Sequence, residues 1–172
     1  MGKFAKPRVV VSKCLGFAPC RYKGEIVSDD SVSRLAQDVA FCPVCPEMEI
    51  GLGCPRDPIR IVVSGGERRL VQPATGRDLS AAMREFAKRF LDSVGEVDGF
   101  LLKAKSPSCG ISDVKVYDEP EGEAFRREGR GFFAEAVLER FGHLPIEDER
   151  ALVDAAARER FLARLRVAAG SR

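Results

Sequence analysis

Histidine and tryptophan are nearly absent from this chain of 172 residues, which contains one His and no Trp. A metal site built from several histidine ligands is therefore disfavoured. An excess of one charge is also lacking, because 28 Lys and Arg residues oppose 26 Asp and Glu residues and leave a net charge of +2. That balance does not indicate a protein that coats nucleic acid. Six cysteines are present, so we expect any metal or nucleophilic chemistry to rest on sulfur.

Long apolar runs are missing as well. The longest stretch without a charged side chain is residues 39–46, whereas a membrane-spanning helix needs about 20 mostly apolar residues. Residues 1–7 include lysines but not the apolar segment of a secretory signal. We therefore expect a cytoplasmic protein without a membrane partner, in which reducing conditions keep the cysteines out of disulfides.

Short apolar runs alternate along the chain with segments of helical periodicity. The predicted strands cover residues 8–12, 41–45, 59–63, 70–71, 97–102 and 114–117. The predicted helices cover residues 31–40, 78–94, 131–141 and 148–167, the last packing on the domain as a C-terminal helix. Residues 118–130 are mostly polar and charged and include Gly122 and Gly129, a composition that predicts a mobile surface loop. The alternation predicts one α/β domain over residues 1–172, a layered fold with a mainly parallel, Rossmann-like sheet flanked by helices.

Three of the cysteines follow predicted strands. Cys14 comes after strand 8–12, Cys45 ends the run 41–45, and Cys109 comes after strand 97–102. Parallel strands end at one edge of a sheet, where ligands bind in such folds, so we expect these three thiols on one rim. Three convergent thiolates suit an iron–sulfur cluster. A fourth iron without a protein thiolate would be open to substrate, as in catalytic zinc sites that keep one position free.

The remaining cysteines have less distinctive surroundings. Cys42 and Cys45 form a C-x-x-C pair that is also typical of thioredoxin-like dithiols. Such a motif opens a helix, whereas Pro46 and the following residues are a poor helical start, and strand positions 42 and 45 point to opposite faces. We therefore interpret Cys42 and Cys54 as packing residues. For Cys20 both a ligand and a core role stay open, with the core role favoured.

Several polar residues stand close to the three cysteines in sequence. Glu47 comes two residues after Cys45, where a carboxylate can act as a general acid or base. Ser106 and Ser108 precede Cys109, where either hydroxyl could relay a proton or bind a ligand. Cations that could bind an anionic group are Lys103, Lys105, Arg21 and Arg56.

The motifs around these residues resemble the thiouracil desulfidase family. The segments that carry the resemblance are 12–16 (SKCLG), 21–24 (RYKG), 44–48 (VCPEM), 51–56 (GLGCPR) and 102–110 (LKAKSPSCG). Segments 129–134 (GRGFFA) and 144–149 (LPIEDE) are similar to the family's C-terminal motifs. The resemblance covers about residues 8–150, and the segment SPSCG is its most specific part.

The resemblance implies a [4Fe-4S] cluster with three cysteine ligands and one open iron, which would bind the thiocarbonyl sulfur of a thiolated nucleobase. Thiouracil would then be converted into uracil and sulfide without net redox change. The matching ligands are Cys14, Cys45 and Cys109. Glu47 matches the acidic residue that handles water and protons, and Ser106 matches the proton-relay serine. The candidates for substrate binding are Ser108, Arg21, Arg56 and Lys103. The chain departs from the family at Cys54, where an aliphatic residue is expected, and at Lys23, where Asp or Asn is usual.

Three further functions compete with this one. The nearest of them is a desulfidase acting on thiouridine in tRNA, but family members with an RNA role tend to carry an additional domain, for which 172 residues leave no room. The near-neutral net charge also lacks the positive excess that is typical of nucleic-acid binding. The second is a non-catalytic iron–sulfur or zinc module, and the third is a dithiol oxidoreductase that uses Cys42 and Cys45. The expected partner is a small thiolated pyrimidine, and no nucleic-acid partner is expected.

Overall fold

The computed structural model describes residues 5–26 and 29–171. The strands are β1 (Arg8–Ser12), β2 (Ala40–Val44), β3 (Arg60–Ser64), β4 (Glu67–Gln72), β5 (Arg77–Asp78), β6 (Gly99–Leu102), β7 (Val114–Tyr117), β8 (Phe125–Gly129) and β9 (Ile146–Asp148). The helices are α1 (Asp30–Leu35), α2 (Pro46–Glu49), α3 (Ser80–Ser93), α4 (Phe132–Phe141) and α5 (Ala155–Gly170), with a 3-10 helix over Glu149–Leu152. The segment in which we expected no secretory signal, residues 1–7, lies partly outside the described residues.

A parallel sheet of four strands in the order β2-β1-β6-β9 forms the centre of the fold. The chain leaves β1, returns as β2 on one side of it, and later crosses to the other side as β6. This reversal of strand order next to β1 is a switch point, and ligands of open α/β sheets bind beside the carboxyl ends of the strands there. The predicted α/β fold with a parallel, Rossmann-like sheet flanked by helices is confirmed.

The alternation of side chains along β1 divides the interior between two faces of this sheet. Val9 and Val11 pack with α1 and α5 on one face. Val10 packs on the other face with α3, α4 and the second sheet. Because both faces are covered, the middle of β1 is an unbroken apolar run over residues 9–11, as expected of a central parallel strand. Pro43 is tolerated in β2 because, among the described residues, that strand forms an edge of the sheet and pairs on one side only.

A second sheet of five strands, in the order β5-β4-β3-β7-β8, packs beside the first and is mostly antiparallel, with only β3 and β7 running parallel. The prediction that residues 118–130 form a mobile loop is wrong over Phe125–Gly129, because β8 pairs with β7 there. The side chains of β8 are exposed up to Gly129, so backbone hydrogen bonds, rather than an alternating apolar pattern, define this strand.

The helix predictions are close for α3 and α4, whereas two other helices differ in their bounds. Helix α1 ends at Leu35, earlier than residue 40. The C-terminal helix begins at Ala155 rather than at residue 148, because Asp154 caps it by accepting a hydrogen bond of 2.9 Å from the backbone N–H of Ala157. The residues before it form β9 and the 3-10 helix. Within residues 5–26 and 29–171, no helix is long and apolar enough to cross a membrane.

Candidate active site

A cavity of about 460 Å³ opens at the carboxyl ends of β1, β2 and β6. Cys14 follows β1, Cys45 follows β2 directly, and Cys109 lies in the loop after β6. All three line this cavity and are buried. The structure therefore brings together the three cysteines that the sequence pattern assigned to one rim.

Cys20 is a fourth cysteine that lines the same cavity. It is buried and packs in one cluster with Cys14 and Cys45, and the Sγ atom of Cys45 lies 3.8 Å from the carbonyl oxygen of Cys20. We favoured a core role for Cys20 from the sequence, but it contacts the candidate site rather than either large apolar core. The signal that could have indicated this is its position between the segments SKCLG and RYKG.

Cys42 and Cys54 lie elsewhere. Cys42 is half-buried and packs against the large core that contains Val10, so it does not share a cluster with Cys45. The C-x-x-C pair is nevertheless followed by a helix, the single turn α2, which contradicts our expectation of a poor helical start at Pro46. Cys54 is also half-buried, and its Sγ atom lies 2.9 Å from the carbonyl oxygen of Pro19 and 3.2 Å from that of Arg21, either of which can accept from the thiol. It thus packs on the loop after β1, outside the apolar core.

Burial shifts the ionisation of the thiols that line the cavity. Removal from water raises the pKa of Cys14 to about 11, with Cys45 adding to the rise and the ammonium group of Lys103 opposing it. Burial likewise raises the pKa of Cys20 to about 12. Burial also raises the pKa of Cys109. With raised pKa values these cysteines are protonated and uncharged at neutral pH. A bound metal centre would convert the cysteines that ligate it to thiolates.

Glu47 points into the cavity from the first turn of α2 and is fixed on two sides. One carboxylate oxygen accepts a hydrogen bond of 2.6 Å from the hydroxyl of Ser108. The other pairs with the guanidinium group of Arg56. Arg56 also donates to the carbonyl oxygens of Cys20 and Gly53, at 2.8 Å each. The arginine thus joins the Glu47 carboxylate to the loop that carries Cys20.

The two serines before Cys109 extend this arrangement. The hydroxyl groups of Ser106 and Ser108 are 3.0 Å apart, so a chain of hydrogen bonds runs from Glu47 through Ser108 to Ser106. The Ser106 hydroxyl also accepts hydrogen bonds from the backbone N–H groups of Ser108, at 3.2 Å, and Cys109, at 3.0 Å. Both serines line the cavity, and the turn they form holds Cys109 in place.

The N-terminus of α4 supports the same loop. The backbone N–H of Phe132 donates to the carbonyl oxygen of Pro107 at 3.1 Å, and those of Phe133 and Ala134 donate to the carbonyl oxygen of Ser108 at 2.9 and 3.0 Å. These are donors that the first turn of a helix leaves unsatisfied. A Cβ atom on Gly131 would lie 2.3 Å from the carbonyl oxygen of Ser108. The segment GRGFFA therefore holds the segment SPSCG in place through backbone contacts.

Several cations line the cavity, among them Lys103, Arg21 and Lys105. The ammonium group of Lys103 pairs with the carboxylate of Glu149, a residue that sequence reasoning did not single out although it belongs to the segment LPIEDE. Arg21 is half-exposed, pairs with Glu25 at 3.2 Å, and lies over the ring of Tyr22. Lys105 also lines this cavity, with a positive φ of 62°.

The donor set at this cavity fits an iron–sulfur cluster. The three candidate ligands, Cys14, Cys45 and Cys109, supply only sulfur, which iron and cluster sulfides prefer. They come from three adjacent parallel strands, so their thiols surround a shared space. Lys103 and Arg21 supply positive charge beside them, as their effect on the pKa of Cys14 indicates. Among the residues that the structure describes, no group of three His, Cys, Asp or Glu side chains is arranged to hold a single metal ion.

Comparison with known proteins agrees with the motifs and the fold. A solved structure, the [4Fe-4S]-dependent thiouracil desulfidase TudS, superposes with a TM-score of 0.66 at 28% identity, covering 88% of this chain and 96% of that one. The uncharacterized protein YbbK of Bacillus subtilis (strain 168) is 32% identical over 109 residues, which are 59% of this chain and 72% of YbbK. The model of the family described as 2-thiouracil desulfurase matches residues 9–149. With most of its length matched, the chain belongs to the 2-thiouracil desulfurase family.

Proposed function

We propose that this protein is a [4Fe-4S]-dependent desulfidase that hydrolyses a thiolated nucleobase, converting thiouracil and water into uracil and sulfide. The observation that carries the proposal is the convergence of two groups on one cavity. The thiols of Cys14, Cys45 and Cys109 line it, and so does the hydrogen-bonded chain of Glu47, Ser108 and Ser106. Family membership and the likeness to TudS support the same reaction.

In this proposal Cys14, Cys45 and Cys109 hold the cluster as thiolates. The cluster, when bound, supplies an iron without a protein ligand, a Lewis acid that suits the soft thiocarbonyl sulfur and weakens the carbon–sulfur bond. Burial of the three thiols limits the access of water and oxidants to the ligands.

Glu47 is proposed to be the general base. Its carboxylate removes a proton from the water molecule that attacks the ring carbon bearing the sulfur. Arg56 holds this carboxylate toward the cavity. Glu47, Ser108 and Ser106 are joined by hydrogen bonds. Once Glu47 is protonated, its carboxyl group donates to the Ser108 hydroxyl and Ser108 donates to Ser106, so that a proton passes along the two hydroxyls to a ring nitrogen. The carbon–oxygen bond forms, the carbon–sulfur bond breaks, and sulfur leaves as sulfide, so no external oxidant or reductant is needed.

The test is anaerobic reconstitution with iron and sulfide, followed by incubation with 2-thiouracil and 4-thiouracil and an assay for released sulfide. Glu47→Gln should retain the iron and lose turnover, while the matched variant Glu49→Gln, on the same short helix but exposed, should retain both. Near-normal sulfide release by Glu47→Gln would show that another group is the base. A reconstituted wild-type protein that releases no sulfide from either compound would contradict the proposal.

A dithiol oxidoreductase would make the opposite prediction for the cysteines. Cys42 packs against the apolar core rather than beside Cys45, which argues against a reactive pair. We therefore expect Cys42→Ala to retain the cluster and sulfide release, and Cys14→Ala to lose both. A protein that purifies anaerobically with zinc and cannot be loaded with iron would favour the non-catalytic metal module instead.

A further inference from the structure

The buried carboxylate of Glu149 is not part of the mechanism proposed above, although it contacts Lys103 and Ala104, two residues that line the cavity. Glu149 is the first residue of the 3-10 helix and is 8% exposed. A carboxylate is stable in such a position only when both of its oxygens have partners. One oxygen of Glu149 accepts a hydrogen bond of 2.7 Å from the backbone N–H of Ala104, and the other pairs with the ammonium group of Lys103.

Lys103 is fixed at both of its ends by these contacts. Its backbone N–H donates to the hydroxyl of Ser12 at 2.8 Å, which anchors the residue where β6 ends beside β1. Its ammonium group also donates to the carbonyl oxygen of Ala104 at 3.2 Å. The side chain is 19% exposed, lines the cavity, and is close enough to oppose the rise in the pKa of Cys14. A long flexible side chain is thus held in one position beside the candidate ligands.

We propose that Glu149 is a positioning residue that holds the ammonium group of Lys103 so that it binds a carbonyl oxygen of the pyrimidine ring. The inference rests on the proposed function for the identity of the ligand. Both 2-thiouracil and 4-thiouracil retain one carbonyl oxygen, and uracil has two. Lys103 has three N–H donors, of which the contacts with Glu149 and Ala104 use two, so one donor is left for the ligand.

The two oxygens of Glu149 allow its structural role to be separated from its positioning role. In Glu149→Gln the amide oxygen can still accept from the Ala104 N–H, which keeps the loop anchored. The amide nitrogen then faces the Lys103 ammonium group, and two donors do not attract each other. The substitution therefore preserves the support of the loop and releases the lysine side chain.

The experiment measures the dissociation constant of uracil by calorimetry on the reconstituted protein, together with KM and kcat for sulfide release from 4-thiouracil. Glu149→Gln should weaken uracil binding and raise KM by about tenfold, the effect of losing a hydrogen bond to a charged group. The value of kcat should change little, because the contact is present before and during the reaction. Lys103→Met should weaken binding to a similar degree. In the double variant the second substitution should add nothing, because both act through one contact.

Glu147→Gln is the matched control. Glu147 lies two residues earlier on β9 and contacts Arg164 at 3.5 Å away from the cavity, so its substitution should leave both constants unchanged. Additive effects of Glu149→Gln and Lys103→Met would overturn the inference, and so would loss of bound iron in Glu149→Gln, which would indicate a structural role. If Glu149→Gln does not fold, unchanged uracil binding by Lys103→Met overturns it equally.

The two readouts distinguish this inference from the proposed function. A wild-type protein that releases no sulfide, but whose uracil binding is weakened by Lys103→Met and by Glu149→Gln, would contradict the function and support the inference. A wild-type protein that releases sulfide, with KM and uracil binding insensitive to both substitutions, would support the function and overturn the inference.

Discussion

At the residue scale, the environment of Glu47 depends on a side chain that is itself nearly inaccessible. Arg56 has 4% of its side chain exposed and Glu47 has 13%. Removing one partner of a buried ion pair leaves the other charge without compensation, at a cost of about 3–5 kcal/mol. In addition, the carbonyl oxygens of Cys20 and Gly53 would lose their donor.

We expect Arg56→Met to lower the free energy of unfolding by about 3 kcal/mol, because this pair is buried, and to reduce sulfide release strongly because Glu47 is no longer held. The measurement is urea denaturation in parallel with the sulfide assay. Arg69→Met is the control, since Arg69 is more exposed and its contact with Asp78 is 4.0 Å. That change should fall within about 0.5 kcal/mol of the wild type, as surface substitutions do. An Arg56→Met variant as stable as Arg69→Met would contradict the argument.

Ser108 is the central hydroxyl of the chain from Glu47 to Ser106. Because its hydroxyl is the contact with Glu47, Ser108→Ala should interrupt proton transfer and reduce kcat by about 100-fold, the lower range for a lost acid–base step. The iron content should be unchanged, since the turn that holds Cys109 depends on the Ser106 hydroxyl. Ser93→Ala, which removes an exposed hydroxyl at the end of α3, is the control. Retention of wild-type kcat by Ser108→Ala would exclude the relay.

The contacts within the site differ in how far the sequence could predict them. Cys14, Cys45 and Cys109 each follow a strand, so their convergence follows from parallel pairing alone. The hydrogen bond between Ser108 and Glu47 joins residues that are 61 positions apart, and no local pattern indicates which serine reaches the carboxylate. Sequence similarity pointed to Ser106 as the relay, whereas Ser108 is the residue in direct contact with Glu47.

At the scale of elements, helix α4 supports the loop that carries Cys109. Gly131 caps this helix, and a Cβ atom there would lie 2.3 Å from the carbonyl oxygen of Ser108 and 2.8 Å from the backbone nitrogen of Cys109. Those neighbours are backbone atoms, which cannot move aside without shifting the loop.

Gly131→Ala should therefore displace the loop of Ser108 and Cys109, lowering both the iron content after reconstitution and the rate of sulfide release. Thermal unfolding of the cluster-free protein should also shift downward, because overpacking costs about 1–3 kcal/mol. In the control, Gly122→Ala, the nearest contact of the added Cβ is a side-chain atom of Glu119 at 3.3 Å, in a surface turn. A Gly131→Ala protein with full iron content and activity would show that the loop does not depend on this approach.

The sequence predicted the first sheet better than the second. Strands β1 and β6 are buried on both faces and have continuous apolar runs, which is the pattern that identifies a central parallel strand. The side chains of strand β8 are mostly polar and are exposed up to Gly129, so its residues show no such pattern and the sequence predicts a loop there. The partition of strands into two sheets depends on contacts between distant segments, which periodicity does not report.

At the scale of the whole molecule, the two sheets share one apolar interior. The large core joins Val10 and Phe100 of the first sheet to Ile61 and Val116 of the second. A second core lies on the opposite face of the first sheet and includes Phe161 and Leu165 of α5. Both cores contain strand residues of the first sheet. We therefore expect the chain to unfold as one cooperative unit, as the predicted single domain over residues 1–172 implies.

Removal of the iron–sulfur cluster tests both the cooperative unfolding of the chain and the assignment of the cysteine ligands. Two of the three candidate ligands, Cys14 and Cys45, pack with each other and with Cys20, apart from both apolar cores. The cores should therefore stay packed when the iron–sulfur cluster is removed. A ligand that binds only the folded state still stabilises it. We therefore expect anaerobic chelation to lower Tm by several degrees, about 2–4 °C for each kcal/mol in a chain of this size, while one transition with equal calorimetric and van't Hoff enthalpies remains.

Two variants separate the contribution of the cluster from that of the chain. Cys42→Ala should respond to the chelator as the wild type does, because Cys42 packs outside the site. Cys109→Ala, which lacks a proposed ligand, should not respond, since it would hold no complete cluster to remove. A cluster-free wild-type protein that unfolds in two separate steps, one for each sheet, would contradict the single unit. A Cys109→Ala protein that loses the same number of degrees on chelation would instead remove Cys109 from the ligand set.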